Sequence, residues 1–183
     1  MSSDSASTSV VFTIGHSTHP VEEFIQMLEH NGVDLVADVR ANPGSRRNPQ
    51  FGPEALAASL DEAGIGYTHV AELGGRRYSR VDDETSNAGW RNHSFRSYAD
   101  YMQTQPFTHG MDSLLDLARN HTVAIMCAEA VPWRCHRSLL GDALLVRGID
   151  VTDIMSPAQT RPHSLTSFAR VDGDRITYPP PAR

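Results

Sequence analysis

Both cysteines of the chain lie in one short segment, from Thr122 to Arg137. Cys127 ends an apolar run that has β-branched residues and no helical period, as expected of a strand buried on both faces. Cys135 is followed by His136 and Arg137 at the start of a helical segment. A thiol at a helix start beside cationic side chains is favoured as a thiolate, which is the nucleophilic form of cysteine. The segment therefore predicts nucleophilic chemistry.

Polar residues and glycines also follow the other predicted strands. The ends of four strands carry Gly15-His16-Ser17, Asp38-Val39-Arg40, Leu73-Gly74-Gly75 and Cys127-Ala128-Glu129. In an open α/β sheet, ligands bind in the crevice beyond the carboxyl ends of the strands. We therefore expect these groups to meet at one edge of the sheet.

Residue type suggests a role for each group at this edge. Thiols supply nucleophiles, carboxylate and imidazole groups supply acids and bases, and guanidinium groups bind anions. The candidates for catalysis are Cys127, Cys135, Glu129, His136, His16 and Asp38. The candidates for substrate binding are Ser17, Arg40, Ser45, Arg46, Gly74, Gly75, Arg134 and Arg137. The roles of the two cysteines are interchangeable at this level.

Apolar periodicity predicts the elements that position these residues. Short apolar runs indicate strands at Val10–Ile14, Val33–Val39, Ile65–Val70, the run ending at Cys127, and Ile149–Met155. Apolar stripes at helical spacing, with proline at starts and glycine after ends, indicate five helices between these strands, at about 20–32, 53–64, 95–102, 111–118 and 135–147. Strands that alternate with helices are typical of a parallel sheet.

The expected fold is therefore a single-domain, three-layer α/β fold with a mainly parallel sheet of about five strands flanked by helices. We expect a disordered leader at 1–9, the α/β domain at 10–156, and a C-terminal extension at 157–183 with a hairpin turning at Asp172-Gly173. The polar, aperiodic stretch 76–92 suggests a mobile surface loop or lid.

Composition narrows the partners. The net charge of −6 disfavours broad nucleic-acid binding and favours a small anionic ligand over a long polyanion. The chain has no apolar run of the roughly 18 residues that cross a bilayer and no secretory signal pattern, so we expect no membrane partner and a cytoplasmic location. Two cysteines do not make a disulfide framework. The sequence leaves the cofactor unknown.

The motifs together resemble the domain of unknown function 488 family. The residues that carry the resemblance are Thr13-Ile14-Gly15-His16-Ser17, Asp38-Val39-Arg40 with Pro43 and Ser45, Tyr67, Leu73-Gly74-Gly75, Cys127-Ala128-Glu129 and Cys135-His136-Arg137. The match spans about Val11 to Met155, and the tail from Pro157 looks like an addition to it. The resemblance implies a compact bacterial or archaeal α/β domain and no agreed activity.

A weaker similarity concerns the sites of rhodanese domains and cysteine phosphatases, in which a strand-end cysteine begins an anion-binding loop. This chain departs from the phosphatase pattern because six residues separate Cys127 from Arg134, one more than in that pattern. Glu129 also places a negative charge inside the loop, which is unfavourable for an anion.

Four hypotheses follow. The first is an enzyme that uses a cysteine on a small or nucleotide-like anionic substrate, as a hydrolase or transferase. The second is a zinc-type metal site built from Cys127, Cys135, His136 and either Glu129 or His16, although no familiar finger has this spacing. The third is a nucleic-acid or partner-binding module that uses Arg46, Arg47, Arg76 and Arg77. The fourth is a redox pair formed by Cys127 and Cys135.

Overall fold

A parallel sheet forms the centre of the computed structural model, which describes residues 9–77 and 86–182. The five predicted strands are present as β1 (Val10–Gly15), β2 (Leu35–Asp38), β3 (Gly66–His69), β4 (Val123–Cys127) and β5 (Asp150–Ser156). They run parallel in the order β3-β2-β4-β1-β5. The predicted α/β fold is confirmed. Most of the predicted leader and residues 78–85 of the predicted loop lie outside the described residues.

Five α-helices cover both faces of this sheet. They are α1 (Val21–His30), α2 (Pro53–Glu62), α3 (His93–Tyr101), α4 (Gln105–Asn120) and α5 (Arg137–Val146). The first two pack on one face and the other three on the opposite face, which gives two separate apolar cores. Among the described residues, no helix has the length and apolar character needed to cross a membrane.

Strand alternation decides which core each strand side chain enters. In β4, Val123, Ile125 and Cys127 belong to the core beneath α3–α5, whereas Ala124 and Met126 belong to the core beneath α1 and α2. In β1 and β5, Val11 and Val151 enter the α3–α5 core. Two residues further along the same strands, Thr13 and Asp153 therefore project toward the α3–α5 face, as Cys127 does. In β2, Val36 lies in the α1–α2 core, and Asp38, two residues later, is on the same side of the sheet.

The C-terminal extension contributes more structure than the sequence predicted. The hairpin is confirmed as β7 (Arg170–Asp172) and β8 (Arg175–Thr177), but the two residues between its strands are Gly173-Asp174, one position later than predicted. Gly173 has a positive φ of 61°, a conformation that glycine adopts without steric cost.

The extension also adds a sixth strand, β6 (Gln159–Pro162), antiparallel to β5 at the edge of the main sheet. All four of its residues are exposed, so it has no alternating apolar pattern that could have predicted it. Tyr178, after the hairpin, is fully buried in the α3–α5 core and its hydroxyl donates to the Asp142 carboxylate at 2.8 Å. The extension is thus tied to α5.

Candidate active site

A cavity of about 390 Å³ opens at the carboxyl ends of the central strands. Its walls come from loops that follow β2, β3 and β4 and from the amino ends of α3 and α5. The lining residues are Arg40, Ala41, Asn42, Gly75, Arg76, Ser94, Phe95, Cys127, Ala128, Glu129, Arg134, Cys135 and His136. Three of these side chains carry guanidinium groups and one carries a carboxylate.

The two cysteines meet in the wall of this cavity. Cys127 ends β4, where its strand alternation points it toward α5, and Cys135 lies two residues before α5 begins. Their Sγ atoms are 2.8 Å apart, and the residues are 3% and 6% exposed. Two thiolates at this distance would repel strongly, so the pair ionises in two coupled steps.

The two thiols ionise unequally. Burial opposes ionisation of Cys135, but the hydrogen bond with Cys127 and the charge of Arg137 outweigh it and lower the pKa of Cys135 to about 7. Burial and the hydrogen bond with Cys135 raise the pKa of Cys127 well above its ordinary value. The backbone N–H of Arg137, 3.5 Å from the Cys135 sulfur, also favours the thiolate at this position. As the pH rises through about 7, the pair therefore loses one proton, which we assign to Cys135, while Cys127 keeps its own.

His136 lies on the other side of Cys135. Its Nε2 is 2.9 Å from the carbonyl oxygen of Val39, and because a carbonyl can only accept, Nε2 carries the ring proton. Nδ1 is then the unprotonated nitrogen, 3.4 Å from the Cys135 sulfur. Burial lowers the pKa of His136, which keeps this nitrogen free of a proton at neutral pH. The imidazole is thus oriented to accept the thiol proton of Cys135.

Gly75 makes room for this imidazole. A Cβ atom on Gly75 would lie 2.4 Å from Nδ1 of His136, closer than real Cβ contacts allow. The predicted site glycine therefore serves a close approach between its backbone and the ring.

Arg137 lies behind Cys127 and is 1% exposed. Its Nε donates to the Cys127 sulfur at 2.9 Å, and its two terminal nitrogens donate to the Thr13 hydroxyl at 3.0 Å and to the Glu129 carbonyl at 2.8 Å. Thr13 in turn donates to the Asp153 carboxylate at 2.5 Å. Burial disfavours the guanidinium cation, but the sulfurs and Asp153 raise the pKa of Arg137, so it stays charged.

Gly15 allows the Glu129 carbonyl to reach Arg137. A Cβ atom on Gly15 would lie 1.7 Å from that carbonyl oxygen, which is sterically impossible. The backbone of the β4 loop therefore packs directly on β1, and this fixes the loop that carries Glu129.

A second buried arginine, Arg40, belongs to the α1–α2 side of the sheet. Asp38, which is fully buried, accepts hydrogen bonds from the Arg40 guanidinium, at 2.7 Å from Nη2, and from the Tyr67 hydroxyl at 2.6 Å. Burial and this bond raise the pKa of Tyr67. Nη1 of Arg40 donates to the Phe51 carbonyl at 2.8 Å. Arg40 is held rigidly at the cavity wall.

His16 also contacts Arg40. Its Nδ1 donates to the Ser17 carbonyl at 2.9 Å, so the lone pair on Nε2 faces Nη1 of Arg40 at 3.3 Å. The ring stacks on Phe51 with centroids 4.4 Å apart. Burial lowers the pKa of His16, which keeps it neutral. In this arrangement, Nε2 of His16 accepts a hydrogen bond from Arg40 and is not free to act as a general base.

The structure brings some of the predicted site residues to the cavity and leaves others outside it. Those in its lining are Arg40, Gly75, Cys127, Glu129, Arg134, Cys135 and His136. Those outside the lining are His16, Ser17, Asp38, Ser45, Arg46, Gly74 and Arg137. Asp38, His16 and Arg137 contact lining residues from behind, whereas the Ser45 hydroxyl accepts from the Asn48 N–H within its own turn.

Eight residues near the site were not predicted as members of it, and four of them, Ala41, Asn42, Arg76 and Ala128, line the cavity from loops. Thr13 and Asp153 connect to Arg137 from within strands, and Ser94 and Phe95 line the cavity from α3. A polar residue inside an apolar strand, as at Thr13 and Asp153, is a signal that could have identified those two. Ser94 and Phe95 begin an ordinary amphipathic helix and carry no such signal.

The zinc-type alternative was built on the same cysteines and histidines. Within residues 9–77 and 86–182, no group of three or more His, Cys, Asp or Glu side chains is arranged to hold a metal ion. That part of the chain therefore offers no ligand set for the alternative.

Comparison with known proteins gives one match. The family model described as Domain of unknown function DUF488 matches residues 20–144, which is more than half of the chain, so the chain belongs to this family. No curated protein and no solved structure matches it. The family carries no assigned activity, so function has to be argued from the geometry.

Proposed function

We propose that this DUF488-family chain is a cysteine-dependent enzyme, a hydrolase or transferase, that acts on a small or nucleotide-like anionic substrate. The placement of Cys135 supports the proposal most directly. Cys135 lines the cavity, a proton-accepting imidazole nitrogen lies 3.4 Å from its sulfur, and the pKa of its thiol is about 7. A nucleophile needs these three conditions at neutral pH: access, a base, and a populated thiolate.

The charges around the cavity support an anionic substrate. Arg40, Arg76 and Arg134 line the cavity, and the last two are exposed. Within the part of the chain that the structure describes, neither Arg76 nor Arg134 forms an ion pair. Their guanidinium groups can therefore bind phosphate or carboxylate oxygens without breaking an existing contact.

In the proposed reaction, Cys135 transfers its proton to Nδ1 of His136 and the thiolate attacks the electrophilic atom of the substrate. The bond to the leaving group breaks, and the leaving group takes the electron pair and the proton held by His136. Water or a second acceptor then cleaves the bond to sulfur. Glu129, which is exposed at the cavity, is the proposed base for this second step.

The buried residues act indirectly in this scheme. Arg137 stabilises the negative charge of the sulfur pair from behind. Asp38 and His16 hold the Arg40 guanidinium at the cavity wall, so we assign them as positioning residues. Four predicted substrate-binding residues lie outside the cavity lining: Ser17, Gly74, Ser45 and Arg46. They stay predictions, because only a substrate larger than the cavity could reach them.

The test is the rate of alkylation of each cysteine as a function of pH, followed by mass spectrometry with iodoacetamide. We expect the rate at Cys135 to rise with a midpoint near pH 7, below the value of about 8.5 for an ordinary thiol. Phosphate or sulfate should slow this alkylation, and chloride at the same ionic strength should not.

Matched arginine variants give the control. The double substitution Arg76→Ala and Arg134→Ala should abolish protection by phosphate, because it removes two guanidinium groups from the cavity. The double substitution Arg46→Ala and Arg47→Ala, at exposed positions outside the cavity lining, should leave protection intact. An ordinary midpoint at Cys135, or equal protection in both double variants, would contradict the proposal.

A further inference from the structure

The contact between the two sulfurs is shorter than a nucleophile alone requires. Cys127 and Cys135 have their Sγ atoms 2.8 Å apart, whereas a disulfide bond measures about 2.05 Å. Non-bonded carbon atoms ordinarily pack at about 3.5–4.0 Å, and sulfur is larger than carbon. The pair is therefore already close to bonding distance.

The two sulfurs also differ in the way that a two-cysteine redox reaction requires. Cys135 is the more acidic thiol, and its thiolate attacks an oxidant, whereas Cys127 keeps its proton until the sulfur of Cys135 has been oxidised. Both line the cavity, so a small oxidant reaches them from the same side as the proposed substrate.

The supports of the two cysteines differ as well. Cys127 is held within the sheet, paired with Gly15 of β1. Cys135 lies outside the sheet, in the turn between a single 3-10 turn (Pro132–Arg134) and α5. We therefore expect disulfide formation to move the turn that carries Cys135 and to leave the central sheet in place.

We propose that Cys127 and Cys135 form a dithiol centre that reduces small hydroperoxides, with Cys135 as the attacking thiol and Cys127 as the resolving thiol. The activity shares its nucleophile with the proposed function and rests on it to that extent. It adds a substrate class, the hydroperoxides, and a role for the second cysteine.

The reaction balances in two steps. The Cys135 thiolate attacks the terminal peroxide oxygen, the O–O bond breaks, and the departing alkoxide takes the proton that His136 received from Cys135, which leaves an alcohol and a sulfenic acid. The Cys127 thiol then attacks the sulfenic sulfur, which forms the disulfide and releases water. Two electrons pass from the dithiol to the peroxide, and an external dithiol such as dithiothreitol restores both thiols.

The disulfide would also change the surroundings of Arg137. A disulfide carries no negative charge, so Arg137 would lose the charge of the thiol pair, although its Nε would still face the Cys127 sulfur. The oxidised centre is therefore also an inactive form of the proposed nucleophile.

The experiment uses the full chain, reduced and freed of reductant, with hydrogen peroxide as the probe. We expect one equivalent of peroxide to remove two hydrogen atoms from the intact mass, to block both cysteines toward N-ethylmaleimide, and to yield a peptide that links Cys127 to Cys135. With dithiothreitol present, peroxide consumption should continue over many turnovers.

Two variants assign the roles. Cys127→Ser should accumulate a sulfenic acid at Cys135 that dimedone traps, and Cys135→Ser should leave Cys127 reduced under the same treatment. Oxidation of Cys127 first, or irreversible oxidation of either thiol in the unsubstituted chain without a disulfide, would overturn the proposal.

The two proposals fail separately. If Cys135 alkylates with a midpoint near pH 7 and phosphate protects it, but peroxide yields no disulfide, the hydroperoxide activity is wrong and the proposed function stands. If the disulfide forms but phosphate and sulfate do not slow alkylation, the anionic substrate is wrong and the dithiol centre stands.

Discussion

Arg40 and Arg137 are both buried arginines beside the same cavity, but they lie on opposite sides of the sheet and face different partners. Arg40 forms a 2.7 Å ion pair with Asp38. Nε of Arg137 instead faces the Cys127 sulfur at 2.9 Å, and its carboxylate, Asp153, is reached through the Thr13 hydroxyl. The Asp38 carboxylate pairs with Arg40, whereas the sulfurs balance the charge of Arg137 only after the thiol pair has lost a proton.

This difference separates a structural charge from one available for chemistry. An aspartate side chain ordinarily ionises near about pH 4 and a thiol near about 8.5, so a thiol pair regains its proton at neutral pH far more easily than a carboxylate does. We therefore expect loss of Arg40 to affect stability most, and loss of Arg137 to affect thiol ionisation most.

The largest effect on stability is expected for Arg40→Met. It leaves the fully buried Asp38 carboxylate without its cation, and breaking a buried ion pair in this way costs about 3–5 kcal/mol. The free energy of unfolding measured in urea at neutral pH provides the value. Arg47→Met, at an exposed position, is the control and should stay within about 0.5 kcal/mol of the unsubstituted chain. A loss below about 1 kcal/mol in Arg40→Met would refute the structural role.

Arg137→Met should lower stability less, by about 1–3 kcal/mol, because the thiol pair takes up a proton and Asp153 is linked to the guanidinium only through the Thr13 hydroxyl. Its main effect should be on ionisation. Removal of the buried cation should raise the alkylation midpoint of Cys135 by about one pH unit or more above its value near 7. The midpoint is measured from the rate of Cys135 alkylation as a function of pH, followed by mass spectrometry. An unchanged midpoint would show that Arg137 does not stabilise the thiolate.

The smallest effects are expected for two matched hydroxyl removals. Thr13→Val removes the hydroxyl that links Arg137 to Asp153, and Tyr67→Phe removes the hydroxyl that donates to Asp38. Each should lower the free energy of unfolding by about 0.5–3 kcal/mol. Thr13→Val should also raise the Cys135 alkylation midpoint by a fraction of a pH unit, whereas Tyr67→Phe should leave it unchanged. Equal shifts of the Cys135 midpoint in the two variants would contradict this prediction, because they would mean that the charges around Arg40 and around Arg137 influence each other.

The parts of the fold that the sequence predicted are those with local periodicity. β4 is an uninterrupted apolar run, and α4 carries a clear apolar stripe, so both could be identified from neighbours in the chain. β6 could not, because its exposed residues Gln159–Pro162 form a strand only through hydrogen bonds to β5.

The site divides in the same way. The parallel sheet places its strand ends at one edge, so the approach of Cys127, Arg40 and Glu129 to one cavity follows from their positions after strands. The burial of the Arg137 side chain does not follow from the sequence, because a residue at a helix start could equally well point its guanidinium toward a substrate. The exclusion of Ser45 and Arg46 from the lining depends on a turn that has no apolar pattern.

Sequence by itself therefore determined the five parallel strands, the helices and the edge at which the polar residues lie, since periodicity and strand direction are local properties of the chain. Tertiary structure decided which side chains meet there. Arg137 and Thr13 are 124 residues apart in the chain and 3.0 Å apart in space. That contact arises because β1 and β4 pair in register and α5 packs on the face to which Thr13 and Cys127 both point, and no local pattern encodes such a meeting.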